Sequence, residues 1–208
     1  MRVALFGGTF DPIHNGHLAV AAAAAQAFSF DQVLFAPTGR QPLKTRTAVA
    51  SFADRLAMVT LALAEPSGSD PQSATFLPSS IDRPKPDDSP NYTVDTLAEL
   101  AALHPDASLF AIAGADSFLT LRGWRSPDRL LELAEWIVVS RPGFPLTESQ
   151  LAPLLLSPDQ RARIHLLTTV HEDVSATSLR RRLATGDPCT DLLPPSVTAY
   201  IAAHHLYR

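Results

Sequence analysis

The sequence predicts an α/β fold: an open, mainly parallel sheet with helices on both faces. A short apolar run, Val3-Ala4-Leu5-Phe6, ends in the glycine pair Gly7-Gly8. An alanine-rich stretch follows, then a second short apolar run closed by Pro37. Strand, loop, helix, strand is a βαβ unit, and its crossover makes the two strands parallel. The same alternation recurs to the end of the 208 residues, which suit one domain covering 1–208. With 46% hydrophobic and 18% charged residues, the chain can bury a sizeable core.

Each element has its own signal. Residues 2–6 read as a buried strand, because the apolar run is short and ends in glycine. Residues 16–27 read as a helix on alanine propensity, with Asn15 as a capping residue near its start. Residues 32–36 form the second strand, and residues 52–64 a helix with Leu56, Val59 and Leu63 at helical spacing. The segment 66–90, rich in proline, serine and aspartate, reads as mostly loop around a short strand at 74–81. A helix over 93–103 precedes a strand over 108–113; residues 130–134 close a further helix, and 136–140 form a strand ended by Arg141-Pro142-Gly143. Residues 163–168 are the last strand, and helices begin near Ser175 and Pro195. The 18 prolines punctuate loops between apolar runs, with no repeat or low-complexity tail.

The bulk numbers exclude several classes. A net charge of -4 gives no general attraction to nucleic acid or an anionic membrane. The single cysteine, Cys189, cannot form an internal disulfide, which suits a reducing compartment. The first apolar run is broken at once by glycine, Asp11 and Pro12, so no leader is expected, and no stretch is long enough to span a bilayer. A cytoplasmic protein is the expectation.

An open α/β sheet binds ligands beyond the carboxyl ends of its strands. The loops leaving those ends are 7–15, 37–44, 114–124 and 141–145, joined by the turn leading to Ser175. The first, GGTFDPIHNGH, is neither GxGxxG nor GxxxxGK[ST]. Even so, glycines between a strand and a helix let backbone amides approach an anion, and the helix N-terminus adds partial positive charge. His14 and His17 sit there in an HxGH spacing that by itself suits a metal, a proton relay or a phosphate. A metal would want further ligands, and His165, His171, His204 and His205 are scattered without ligand spacing, so no metal ligand is assigned. The strand-to-helix turn favours phosphate.

GGTFDPIHNGHL closely resembles the signature of the nucleotidyltransferase superfamily, whose members carry (H/T)xGH. The resemblance implies the Rossmann-like fold of that superfamily, with His14 and His17 on the phosphates of ATP and Gly7, Gly8, Thr9 and Phe10 in its binding loop. Histidine at position 14, where pantetheine-phosphate adenylyltransferases typically have threonine, points to the nicotinate-nucleotide adenylyltransferases.

The likeness runs along the whole chain. RQPLK resembles a proline-rich phosphate loop; Leu43 replaces its usual histidine, while Lys44 keeps the cation. Asn91-Tyr92-Thr93 followed by Asp95-Thr96-Leu97 resembles SYTxxTL, which implies that backbone groups of Thr93 and Val94 hold the nicotinate carboxylate. On its own this stretch is an ordinary helix start with Thr93 as cap. Gly114, Asp116 and Trp124 resemble GxDxxxxxxxW, placing the indole on the pyridine ring and Asp116 on ribose hydroxyls. Arg125 follows where relatives often have an aromatic, and its charge suits an acidic ring substituent. VSATSLR resembles ISxTxxR: Ser175 and Thr177 at a helix start and Arg180 a turn later supply a second phosphate clamp.

The resemblance implies transfer of the adenylyl group of ATP to nicotinate mononucleotide, giving deamido-NAD and pyrophosphate. His14, His17, Lys44 and Arg180 would carry the step, with Mg²⁺ bound mainly through the ATP phosphates. Expected partners are those two nucleotides, with no nucleic acid and no membrane. The alternatives are nicotinamide mononucleotide or phosphopantetheine as acceptor, CTP as donor, or a nucleotide-binding module without turnover. The missing GxGxxG disfavours an NAD-dependent oxidoreductase.

Overall fold

The computed structural model describes residues 1–42, 48–65, 74–140, 146–168 and 174–208. Its strands are β1 (Arg2–Gly8), β2 (Gln32–Pro37), β3 (Thr75–Pro78), β4 (Ser108–Gly114), β5 (Glu135–Val139) and β6 (Ile164–Leu167). They form one sheet in the order β3-β2-β1-β4-β5-β6, and every pairing is parallel. β1 is central: Leu5 pairs with Leu34 on one side and Ala111 on the other.

The helices are α1 (Asn15–Phe28), α2 (Phe52–Ala64), α3 (Thr93–Leu103), α4 (Ala115–Phe118), α5 (Pro127–Leu133), α6 (Glu148–Leu151), α7 (Pro158–Ala162), α8 (Ala176–Ala184) and α9 (Pro195–Ala203). Side chains alternate across β1, so Ala4 and Phe6 join one apolar cluster while Val3 and Leu5 join the other. The first cluster takes Ala21 and Ala24 of α1, Met58 and Val59 of α2, and Val197 and Ile201 of α9. The second takes Leu97 and Leu100 of α3, Leu130 and Leu131 of α5, and Trp136 of β5. Both faces are covered, which is why the strands read as continuous apolar runs.

The long elements match the sequence reading to within a residue or two, and α2 and α3 match at both ends. Three details differ. His14, extended at φ -147°, caps α1, because Asn15 already lies in the helix and its side-chain amide donates to Asp191 O at 3.4 Å. Tyr92, not Thr93, occupies the cap position of α3. The strand expected over 74–81 is only Thr75–Pro78, because Ser79 to Arg83 turn back, with the Arg83 N–H on Ser80 O at 3.0 Å. The short helices α4, α6 and α7 have too few residues to show a period.

Among the described residues, no helix is long and apolar enough to cross a membrane.

Candidate active site

The connection that leaves β1 runs towards β2, whereas β4 lies on β1's other side, so a crevice opens between β1 and β4 at their carboxyl ends. A Cβ added to Gly7 or to Gly114 would meet no atom within 4 Å. Both strand ends therefore face open space. A cavity of about 650 Å³ begins there, a size suited to a nucleotide. Gly7, Gly8, Thr9, Gly114 and Asp116 line one part of it; Thr93, Trp124 and Arg125 line another. The cavity thus gathers residues up to 131 positions apart, from Leu5 to Trp136.

One end of the cavity is aromatic and cationic. The Trp124 indole is oriented by its N–H, which donates to Thr120 Oγ1 at 2.9 Å, and by edge contact with Trp136 at 5.8 Å between ring centres. The Arg125 guanidinium lies 4.6 Å from the centre of the Tyr92 ring and makes no ion pair among the described residues. Tyr92 heads α3 without a side-chain cap, so the first amides of that helix, on Thr93 and Val94, keep their donors. The Val94 side chain itself is 8% exposed and belongs to the core, leaving only its backbone for a ligand.

Behind this end lies a polar cluster that the sequence reading missed. Asp82 lines the cavity yet is 8% exposed, and burial raises the pKa of its carboxyl. Thr96 donates to Asp82 Oδ1 at 2.9 Å. The Asn91 amide donates to the carbonyls of Asp82 and Arg83 at 3.2 and 2.8 Å, and its oxygen accepts the Arg40 N–H at 2.9 Å. These bonds tie the loop after β2 to the start of α3. Asn91 and Thr96 stood in a recognised segment; Asp82, inside a proline-rich loop, carried no signal of its own.

The HxGH loop stands beside the cavity. The imidazoles of His14 and His17 stack with centres 3.6 Å apart, and the backbone N–H of His14 donates to His17 Nδ1 at 3.3 Å. Burial lowers the His14 pKa to about 4. It also holds His17 well below the ordinary value, with His14 as a second cause. Both rings are therefore neutral near pH 7, and each offers one N–H rather than a full charge. His14 Nδ1 is buried with no partner among the described residues. Phe10, expected in the nucleotide loop, is 2% exposed, its ring edge-on to Phe6 at 5.5 Å. Only its backbone can serve a ligand, because the side chain anchors the loop in the core.

The segment leading into α8 meets the HxGH loop. A Cβ on Gly16 would lie 3.4 Å from Val174 Cβ, so the approach to α8 rests on the HxGH motif. Ser175 caps α8, and Arg180 donates through Nη1 to the Asp11 carbonyl at 2.7 Å and through Nη2 to Thr177 Oγ1 at 3.3 Å. Arg55, 2% exposed, donates to Thr9 O at 2.7 Å and Ala50 O at 3.3 Å, bracing the loop from α2. Asp11 stood inside the recognised GGTFDPIHNGHL signature without an assigned role, and nothing in the sequence marked Arg55. Leu43, Lys44 and the 141–145 loop lie outside the described residues.

Residues 5–182 match the cytidylyltransferase-like family. A Streptomyces coelicolor protein named "probable nicotinate-nucleotide adenylyltransferase" is 42% identical over 97% of this chain and 98% of its own. One of the same name from Thermus thermophilus is 41% identical over the whole of both chains. Among solved structures, Plasmodium falciparum nicotinic acid mononucleotide adenylyltransferase complexed with NaAD is similar in fold, with a TM-score of 0.77 at 19% identity. That likeness covers 99% of this chain and 97% of that one. The chain belongs to the cytidylyltransferase-like family and, within it, to the nicotinate-nucleotide adenylyltransferases.

Proposed function

We propose that this chain transfers the adenylyl group of ATP to nicotinate mononucleotide, releasing pyrophosphate and forming deamido-NAD, a step of NAD biosynthesis. It acts as one domain in the cytoplasm, a compartment that suits its lone, buried Cys189. One observation carries the reading. A single cavity joins the glycine ends of β1 and β4 to Trp124 and to Arg125, which makes no ion pair among the described residues, so a nucleotide phosphate and an acidic aromatic ring both fit in it.

The attacking group is a phosphate oxygen of the acceptor, already ionised at neutral pH, so the step needs no strong base. It needs alignment and relief of negative charge on the α-phosphate and on the departing pyrophosphate. In this reading His14 and His17 donate N–H groups to ATP phosphates from the start of α1, and the buried Nδ1 of His14, without a partner among the described residues, supports that use. Ser175, Thr177 and Arg180 approach the same anion from α8, and Lys44 contributes a further cation. Gly7, Gly8, Thr9 and the Phe10 backbone hold the nucleotide loop, with Gly114 and Asp116 beneath the ribose. Thr93, Val94, Trp124 and Arg125 take the nicotinate end.

Mg²⁺ fits this donor set. Both carboxylate oxygens of Asp11, the acid in the HxGH loop, already accept hydrogen bonds from Val49, Ala50 and Tyr207. The ligands left for the ion are phosphate and water oxygens, an arrangement Mg²⁺ favours. When bound, it neutralises polyphosphate charge.

Pyrophosphate release from ATP and Mg²⁺, measured separately with nicotinate mononucleotide, nicotinamide mononucleotide and phosphopantetheine, tests the reading. Preferred turnover of the nicotinate acceptor is expected. Equal or better turnover of either of the others replaces the acceptor, and CTP outperforming ATP replaces the donor.

A further inference from the structure

The penultimate residue, Tyr207, reaches back to the HxGH loop. It is 7% exposed, and its hydroxyl donates to Asp11 Oδ1 at 2.7 Å. Asp11 is 2% exposed and is held from two further sides: the Val49 N–H donates to Oδ2 at 2.7 Å and the Ala50 N–H to Oδ1 at 3.1 Å. The backbone carbonyl of the same aspartate accepts Nη1 of Arg180 at 2.7 Å, and that nitrogen lies 3.8 Å from Oδ2. A chain of contacts therefore runs from the C-terminus through Asp11 to the guanidinium assigned above to the phosphate clamp.

The backbone supports a dedicated contact. His205 and Tyr207 have φ of 54° and 63°. Non-glycine residues in the left-handed region are uncommon and persist where the surroundings over-determine them. Here the buried Asp11 bond is the contact that the bend makes. Burial, then the Asp11 charge, pushes the Tyr207 hydroxyl far above its ordinary pKa, so it stays a protonated donor wherever the enzyme works.

We propose that Tyr207 is a positioning residue for adenylyl transfer: through Asp11 it sets the orientation of the Arg180 guanidinium at the phosphate clamp. The proposal rests on the assignment of Arg180 to that clamp. A tyrosine that merely filled the core would affect stability, and its effect would be independent of Arg180. The hydroxyl acts differently. Without it, Asp11 Oδ1 keeps only the longer Ala50 bond, the aspartate shifts, and the carbonyl that aims Arg180 shifts with it.

A double-mutant cycle on the full chain tests this. Tyr207→Phe keeps the ring and removes only the hydroxyl. With ATP, nicotinate mononucleotide and Mg²⁺, this variant should lose about tenfold in kcat, the worth of one hydrogen bond to a charged group. Its KM for nicotinate mononucleotide should not change. In the Arg180→Ala background the same change should cost less than about twofold, since groups acting as a unit are not additive. Equal losses in both backgrounds overturn the positioning role while leaving the clamp intact, and so does a Tyr207→Phe enzyme with wild-type kcat. Wild-type turnover in Arg180→Ala alone overturns the clamp, and the positioning role with it.

Discussion

His14 and His17 stack as two neutral imidazoles, 3.6 Å between ring centres and 24° between planes, at the first turn of α1. Two cations sharing that spacing in a buried site would repel strongly, so the stack disfavours charging both rings at once. This has a consequence for stability. At pH values above 6.5, the ordinary value for histidine, His14 is neutral folded or unfolded and contributes no pH dependence. Between 6.5 and about 4 the unfolded chain takes up a proton that folded His14 refuses, so stability falls as pH falls. Below about 4 both states carry the proton and the loss is complete, roughly 3 kcal/mol. His17 adds to the loss in the same direction. Urea midpoints across this range should decline in the wild type and decline less steeply in His14→Asn. An identical slope in the variant removes His14 as its source.

Replacing His17 with alanine should lower turnover by about 10²–10³, the loss seen when one transition-state donor is removed. The circular dichroism spectrum should stay that of a folded protein, with the melting temperature lowered because the ring packs on Phe10 and accepts the His14 backbone N–H. Turnover within a few-fold of wild type takes His17 out of the clamp.

For Trp124→Ala, the expectation is a raised KM for nicotinate mononucleotide with the KM for ATP little changed. The indole is held from one side by Thr120 and Trp136, and it lines the cavity. Isothermal titration of each nucleotide separates the two effects. Equal weakening of both nucleotides assigns the tryptophan to packing.

Arg125 is poised to sort acid from amide, since it lies over the Tyr92 ring and has no carboxylate partner among the described residues. Arg125→Gln should narrow the ratio of kcat/KM for nicotinate over nicotinamide mononucleotide by about 10- to 100-fold, the worth of a charge-assisted hydrogen bond. If the ratio is unmoved, the preference lies in the α3 amides alone.

Gly39 sits where the loop after β2 meets the polar cluster. A Cβ there would lie 2.5 Å from Asn91 Oδ1 and 2.6 Å from the backbone nitrogen of Pro84. The Gly39 N–H also donates to Asp82 O at 2.7 Å. Backbone cannot step aside cheaply, so Gly39→Ala should cost about 1–3 kcal/mol. The loss should show as a lower melting temperature together with a raised KM for the acceptor, because the start of α3 moves with the loop. An unchanged melting temperature means that the loop re-forms freely.

The sequence by itself determined the sheet and the local chemistry. Apolar runs such as Val3 to Phe6 are too short for anything but buried strands, and their alternation with helices requires parallel pairing. Gly7-Gly8, the HxGH spacing and Ser175 to Arg180 were legible because each is a local pattern: strand end, helix start, hydroxyl and cation within one turn. What only the tertiary structure decided depends on groups far apart in the chain. Asp11 looked like a loop residue until Tyr207 and Arg180, 196 and 169 positions away, closed on it. Asp82 looked like a surface acid in a proline-rich loop until Gly39, 43 positions away in the loop after β2, and Thr96 of α3 closed on it. The neutrality of the two histidines is of the same kind. Spacing shows that the rings are near each other, but a pKa is set by how much water the rest of the fold removes.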